Sequence, residues 1–405
     1  MKLSEELSWR GLANQTTFDN IERLDEGTLK FYWGVDPSSD SMTIGNLASA
    51  MLVKHFIHHG HQAVLLVGGA TGLIGDPDGK KDERNLKTRE EINKNKEAIA
   101  NQYKRVFAGQ DFEIVDNHDW FKDINFIDFL MTVGKHVPTA QMFARGFVQS
   151  RLETTGISYA EFSYSLIQAY DFLHLFREKG VTLQLCGSDQ WGNSTAGASL
   201  IRRMEAKEAH VFTTPLVINK STGKKFGKTE NGAIWLDENK TSVYEFFQFW
   251  LNTADDSVID FLKIFTMLSR EEILSLEEKV HNEPFKREAQ KVLAYEVTKL
   301  VHGEIKTDAV VDATSVLFGK KDFTELNETA VDFLGKQIIT VTAEESLSKT
   351  LVKGDLAESI SDARRLMKSG GITVNGEKVL VDNVTLTETS LVKRGKNRFL
   401  LVKVN

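Results

Sequence analysis

Hydrophobic positions along this chain change period twice. Phe31-Tyr32-Trp33-Gly34-Val35 is a short apolar run that stops at Asp36-Pro37-Ser38-Ser39, as a buried strand stops at a turn. After Thr43 the spacing becomes helical, with Leu47, Met51, Leu52 and Phe56 on one face and Gly60 closing it. Residues 63–67 form a continuous apolar run of the kind found in buried parallel strands. The loop GGATGLIGDP follows, and then a charged amphipathic helix opens at Thr88 and runs to about 107. Residues 181–185 are another short strand, leading into CGSDQWGN. Strands that alternate with helices and end in Gly-rich loops predict an α/β domain over residues 1–230. Its parallel sheet would be doubly wound, in the Rossmann-like manner. From about 240 to 330 the periodicity is helical, through YEFFQFWLNT, VIDFLKIFTMLS, REEILSLEEKV and KREAQKVLAYEVTKLVHGE. This predicts a helical domain over 231–335, with a linker near 331–345. Residues 336–405 combine a helix at 361–368, the segment GGITVNGEKV and a final strand from Arg398. They read as a small α+β domain.

Composition narrows the class. Of 405 residues, 41% are apolar and 5 are Pro, which excludes wholesale disorder and Pro-rich architecture. The single cysteine, Cys186, excludes a disulfide framework and a Cys-based zinc site. No run reaches the length of a membrane-spanning helix, and the polar N-terminus lacks an apolar targeting segment. A cytoplasmic protein with no membrane contact is expected. Residues 341–405 carry 11 Lys and Arg against 8 Asp and Glu, so the net charge of −7 divides into an acidic body and a basic tail. That asymmetry suits a polyanionic partner at one end, or is sampling in a short window.

Four constellations could carry chemistry. In YWGVDPSSDSMTIGNL, residues 32–47, a strand ends and a helix begins near Thr43, with Gly45 in its first turn. A helix start offers free N–H groups to phosphate, and Gly45 leaves the backbone open to a flat group. Asp36 and Ser38 border the same mouth; an ordinary strand–helix turn with a Thr cap is the alternative. VGGATGLIGDPDGKKDER, residues 67–84, has Gly68, Gly69, Gly72 and Gly75 before Asp76, and Lys80, Lys81 and Arg84 after it. The glycines fit close backbone packing, Asp76 sits where a ligand-binding acid belongs, and the cations could clamp pyrophosphate or face water. GKKFGKT, residues 223–229, misses the phosphate-loop spacing by one residue and is not followed by a helical pattern. Lys225 and Lys228 could still fold over a triphosphate. In SYSLIQAYDF, Tyr164, Gln168 and Asp171 lie at i, i+4 and i+7 on one helix face. A polar stripe of that kind faces water or lines a polar pocket.

These four constellations, in this order, resemble class I aminoacyl-tRNA synthetases, and their details resemble the bacterial tyrosyl-tRNA synthetase family. GGATGLIGDP, EFSYSLIQAYDF, GSDQWGN and KFGKT are the specific matches, and the likeness spans nearly the whole chain. The C-terminal stretch ISDARRLMKSGGITVNGEKV is similar to a small RNA-binding domain shared with a small-subunit ribosomal protein. The resemblance implies that Tyr32 and Asp171 hold a tyrosine phenol. Asp76, Tyr164 and Gln168 would hold its ammonium, and Gln190 its carboxylate. Gly34, Asp36, Ser38, Gly45, Gly187 and Asp189 would border ATP. Thr43 and Asn46 occupy the helix-start signature, written His-Ile-Gly-His in most of the family. Lys225, Lys228 and Thr229 match the mobile signature loop, and Lys80, Lys81 and Arg84 match the loop that closes on pyrophosphate. Trp33 stands where a small residue borders the ribose, and Cys186 where a second Gly often precedes GSDQWGN.

The implied chemistry is attack of the tyrosine carboxylate on the ATP α-phosphate, then transfer of tyrosine to the terminal ribose of tRNA(Tyr). Magnesium would arrive with ATP, and no protein-bound metal is expected. Arg364, Arg365, Lys368, Lys393, Arg394, Lys396 and Arg398 would meet tRNA phosphates. A homodimer is implied, with its interface in an insertion at about 125–160 that carries Phe126, Phe129, Leu130, Met131 and Phe143. Two other readings compete. Tryptophanyl-tRNA synthetase shares the fold, but Tyr32, Asp171 and the C-terminal domain argue against it. A non-catalytic RNA-binding paralogue has little reason to retain Asp76, Asp171, Gln190, Lys225 and Lys228.

Overall fold

The computed structural model describes residues 1–77, 86–143, 146–218, 226, 228–229, 232–318, 321–395 and 398–404. Lys80, Lys81, Arg84, Lys225 and Lys396 therefore lie outside the described residues, and Lys228 and Thr229 are described by backbone alone. Packing divides the chain into two units where the sequence suggests three segments. One is Met1–Thr241 with Trp250–Leu293, and the other is Ser242–Phe249 with Ala294–Asn405.

Among the described residues, the first unit is built on a five-stranded parallel sheet. The strands are β1 (Lys30–Val35), β2 (Gln62–Val67), β3 (Phe112–Asp116), β4 (Leu183–Gly187) and β5 (His210–Thr214). Their spatial order is β3-β2-β1-β4-β5. Helices Ile44–His58, Arg89–Val106, Tyr159–Lys179 and Trp191–Glu205 lie between successive strands. Side-chain alternation assigns the two faces of β1. Phe31 packs on Phe56 and Trp33 on Tyr103, whereas Tyr32 packs on Phe172 of the helix Tyr159–Lys179. The strand order reverses between β1 and β4, and the carboxyl ends of these two strands open a crevice there.

The strands β3 and β5 are additions to the sequence reading. Both lie at the sheet edges and carry polar residues, Glu113 and Asp116 in one and His210 and Thr213 in the other. The helix opening at Thr88 forms as expected, with a capping box in which Thr88 and Glu91 satisfy each other's backbone amides.

In the second unit a five-stranded sheet orders the segments Glu377–Lys378, Ile372–Val374, Ser390–Arg394, Arg398–Lys403 and Ile339–Thr342. Leu400 and Val402 face the helices Leu347–Lys353 and Ile360–Lys368, through Leu351, Ala363 and Met367. Leu401 and Leu391 face the other way, onto Ala313, Val316, Phe323 and Leu334. The linker expected at 331–345 is corrected here. It holds the helix Glu328–Gly335 and a strand paired in parallel with Leu400–Lys403. Gly335 lies so close to the sheet that a Cβ there would come within 2.9 Å of Leu401.

Candidate active site

The crevice at the switch point is a cavity of about 310 Å³. The turn after β1 supplies Asp36 and Ser38, the start of Ile44–His58 supplies Thr43, Gly45 and Asn46, and the end of β4 supplies Gly187, Asp189 and Gln190. Tyr164, Gln168 and Asp171 line it from one helix, so the polar stripe faces a pocket. Tyr32, Gly34 and Asp76 complete the set that the sequence singled out.

The phenol end of this set is the most deeply buried. Asp171 is 2% exposed, and its two oxygens accept hydrogen bonds from Asn117 Nδ2 at 3.0 Å and Trp120 Nε1 at 2.9 Å. Burial raises the Asp171 pKa to about 8, against the pull of those two donors. Tyr32 is equally buried, and its hydroxyl has no hydrogen-bond partner. Burial and the nearby Asp171 push that phenol well above its ordinary value, so it stays a neutral donor. The oxygen Oε1 of Gln168 is also unpartnered. Unpaired buried polar atoms cost about 1–3 kcal/mol each, which a polar ligand would offset.

The other end is already cross-linked. Gln190 Nε2 donates to Asp76 Oδ2 at 2.6 Å, and Asn193 Nδ2 donates to Gln190 Oε1 at 3.1 Å. Tyr164 donates to Asp36 Oδ2 at 2.7 Å, and Thr71 donates to Asp36 Oδ1 at 2.6 Å. Asn117 then joins Thr71 to Asp171, through 3.0 Å bonds to each. One chain of hydrogen bonds thus runs from Tyr164 through Asp36, Thr71 and Asn117 to Asp171.

The glycines of GGATG make this chain possible by close packing. A Cβ on Gly68 would collide with the Asp36 carboxylate and the Thr71 hydroxyl, and one on Gly69 with Asp116. The packing reading of these glycines therefore holds for Gly68 and Gly69.

The helix start differs from the simplest expectation. Thr43 N–H is taken by Asn46 Oδ1 at 2.9 Å, and Ile44 N–H by the Ile234 carbonyl at 3.1 Å. Thr43 Oγ1 also donates to Asn46 Oδ1 at 3.1 Å, so the two signature residues hold each other. Gly45 keeps its open face, since a Cβ there would meet only Thr43 Oγ1, at 3.4 Å. The Trp33 ring packs on Tyr103 and Phe107 rather than beside Tyr32. Cys186 lines the cavity as a buried thiol pushed up to about 12, held by Ser194 at 3.2 Å.

Among the described lining residues are the carboxylates of Asp36, Asp76, Asp171 and Asp189, and no Lys or Arg. Cations for a polyphosphate have to come from outside that set. Phe226 lines the cavity too, and its ring lies 4.4 Å from that of Phe261 and 5.6 Å from that of Trp250. In the second unit, Arg364 pairs with Asp382, Arg365 with Asp362, and Arg398 with Asp355. Arg394 donates to the Leu356 carbonyl, and Lys393 lies over the Phe399 ring.

Asn117, Trp120, Thr71 and Gln184 are functional candidates that the sequence reading missed. Asn117 and Trp120 follow β3, the unrecognised edge strand. Gln184 was legible as a lone amide inside an apolar strand.

A family described as class I tRNA synthetases for tryptophan and tyrosine matches residues 24–319. A second, described as the tyrosine–tRNA ligase SYY-like C-terminal domain, matches residues 331–403. The chain belongs to the tyrosine–tRNA ligase family of class I synthetases. The tyrosine–tRNA ligase of Limosilactobacillus fermentum is 44% identical over 419 residues, covering 100% of both chains. That of Geobacillus kaustophilus is 45% identical over 421 residues, again with 100% of both covered. Among solved structures, the C-terminally truncated mitochondrial tyrosyl-tRNA synthetase of Aspergillus nidulans is 30% identical with a TM-score of 0.71. It covers 78% of this chain and 94% of its own. Members of this family use ATP as a substrate.

The pH behaviour of Asp171 is testable. Its folded pKa lies above the value near 4 of an unfolded Asp, so the folded state holds the extra proton between about pH 4 and pH 8. Its contribution to stability therefore falls as pH rises through that window, by up to about 1.4 kcal/mol per unit. The difference in stability between the ligand-free protein and Asp171→Asn, from thermal unfolding across pH 4–9, should show this slope, because His55, whose lowered pKa of about 3 gives an opposite slope, contributes equally to both.

Proposed function

We propose that this chain activates L-tyrosine with ATP and charges tRNA(Tyr). The observation that carries the reading is the buried pair at one end of the cavity, an unpartnered Tyr32 hydroxyl and the Asp171 carboxylate. A phenol has one O–H to donate and lone pairs to accept with. Asp171 takes the proton's hydrogen bond, and Tyr32 donates in return. Phenylalanine would leave both buried groups unpaired. Asp76, Tyr164 and Gln168 hold the ammonium, whose charge suits the acidic lining, and Gln190 steers the carboxylate. Gly34, Asp36, Ser38, Gly45, Gly187 and Asp189 border the nucleotide, with Thr43 and Asn46 beside its phosphates.

The carboxylate oxygen of tyrosine attacks the α-phosphorus, the bond to the bridging oxygen breaks, and pyrophosphate leaves with its magnesium. Lys80, Lys81, Arg84, Lys225 and Lys228 supply the positive charge that the described lining lacks, and Thr229 adds a hydroxyl donor. The ribose hydroxyl at the tRNA terminus then takes tyrosine from the adenylate and releases AMP. Residues 1–230 carry this chemistry, 231–335 face the anticodon side and 336–405 bind RNA. The work takes place in the cytoplasm, on a homodimer. Phe126, Met131 and Phe143, each more than 40% exposed, form the apolar face between its copies.

Tyrosine-dependent ATP–pyrophosphate exchange is the deciding assay. Exchange with tyrosine, and not with tryptophan or with no amino acid, is the expected result. No exchange from a folded preparation would leave the non-catalytic reading standing.

The tail makes a separate prediction. Arg364, Arg365 and Lys368 share the helix Ile360–Lys368 and are all exposed. Replacing all three with Ala should leave exchange rates within about twofold. At physiological salt, tRNA charging efficiency should fall about tenfold or more, with a shallower salt dependence of tRNA binding. Charging that survives at full efficiency removes this helix from the tRNA surface.

A further inference from the structure

The helix Arg89–Val106 buries one face, made by Ile92, Asn95, Ile99, Gln102, Tyr103 and Val106. Two of them are amides, and an amide on the buried face of an amphipathic helix costs stability unless a partner satisfies it. Asn95 and Gln102 lie two turns apart on that face, and both find partners in residues 37–42. Asn95 Nδ2 donates to the Pro37 carbonyl at 2.9 Å. Gln102 Oε1 accepts from the Met42 N–H at 2.8 Å, and its Nε2 donates to Ser41 Oγ at 2.9 Å. That stretch belongs to the mouth of the cavity, with Ser38 inside it and Thr43, Gly45 and Asn46 just beyond.

Through Ser41, Gln102 also reaches the segment that follows KFGKT. The Ser41 hydroxyl donates to the Met42 carbonyl at 2.8 Å and accepts from the Asp237 N–H at 3.1 Å, as well as from Gln102. Its one proton and two lone pairs are thereby all used. Residues 234–236 run antiparallel to 42–44. Leu236 N–H donates to the Met42 carbonyl at 2.9 Å, and Ile44 N–H to the Ile234 carbonyl at 3.1 Å. Gly232–Ala233, immediately before, pairs with the backbone of Lys228–Thr229. A continuous run of backbone pairing thus joins KFGKT to the helix start, and Gln102 clamps it at Ser41–Met42. We propose that Gln102 is a positioning residue for the activation step, fixing the segment that carries Lys228 against the helix start. This rests on the reading of the chain as a tyrosine-activating enzyme. Gln102 does not itself line the cavity, so it acts through the backbone it holds.

The test uses full-length Gln102→Met, which keeps the bulk and removes the amide, and Ser41→Ala, which removes only the hydroxyl. Hydrogen exchange on the ligand-free protein reads the clamp without catalysis. The Asp237 amide should exchange about tenfold faster in both variants, with the amides of β5 unchanged. In ATP–pyrophosphate exchange, kcat should fall about tenfold in Gln102→Met and by less in Ser41→Ala, with equilibrium binding of tyrosine within about twofold. Added to Lys228→Ala, Gln102→Met should lower kcat by less than about threefold, because the side chain it positions is already gone. Loss of folded protein would multiply both backgrounds equally, so unfolding does not imitate this result. An equal fall in both backgrounds, or a kcat unchanged in Gln102→Met, overturns the proposal and leaves Gln102 a packing residue. A loss of tyrosine binding as large as the loss of kcat overturns it too. If the unsubstituted protein shows no tyrosine-dependent exchange while the Asp237 amide still reports the clamp, the function reading fails and the proposal with it.

Discussion

Asp171→Ala should reduce kcat/KM for tyrosine in ATP–pyrophosphate exchange by about 10³-fold or more. In the proposed reading the carboxylate accepts from the substrate phenol, and it accepts also from Asn117 and Trp120. Its removal strands those two donors as well as the ligand. A hydrogen bond to a charged group contributes about 1.5–3 kcal/mol, and each donor left buried and unpaired costs about 1–3 kcal/mol more. The loss should not come from unfolding. The two stranded donors cost stability, but an acid whose pKa is raised to about 8 must take up a proton when the chain folds at neutral pH, and its deletion removes that cost. ATP affinity, read by protection from thermal unfolding, should be little changed. Near-normal exchange in the variant would mean that the phenol lies elsewhere.

The parts of the fold legible in the sequence are those whose side chains repeat a simple environment. β1, β2 and β4 lie inside the sheet and read as apolar runs. β3 and β5 lie at its edges, where Glu113, Asp116, His210 and Thr213 break the run. Missing β3 also hid Asn117 and Trp120, because nothing local to them marks a site. Their role exists only after β3 sets them beside a helix residue about 50 positions further along. Tyr164, Gln168 and Asp171 were legible because helical spacing alone puts them on one face. The segment 331–345 misled because its helix and strand are short and gain their burial from Leu391 and Leu401, far along the chain. The glycines of GGATG gave their positions but not their purpose. Only the structure sets Asp36 and Thr71 over Gly68.

The second large effect belongs to the segment KFGKT. The described lining holds Asp36, Asp76, Asp171 and Asp189 and no cationic side chain, yet in the proposed reaction ATP brings a triphosphate to it. In that reading cations must be delivered, and Phe226 anchors the segment at the cavity. Phe226 is buried against Trp250, Phe261 and Phe265, and its N–H donates to the Val217 carbonyl at 2.8 Å. Two residues on, the backbone of Lys228–Thr229 pairs with Gly232–Ala233. Lysines on either side of such an anchor gain most when negative charge builds on the departing pyrophosphate, because that charge is absent from bound tyrosine. Lys228→Ala should therefore lower kcat by about 10²–10³-fold, as removal of one transition-state donor does elsewhere. Tyrosine affinity, measured by equilibrium binding without ATP, should stay within about twofold. Lys228→Arg should recover part of kcat, because it restores charge without restoring shape. A variant that binds tyrosine poorly but reacts at the normal rate once saturated would place Lys228 in the amino-acid pocket and detach the segment from phosphate chemistry.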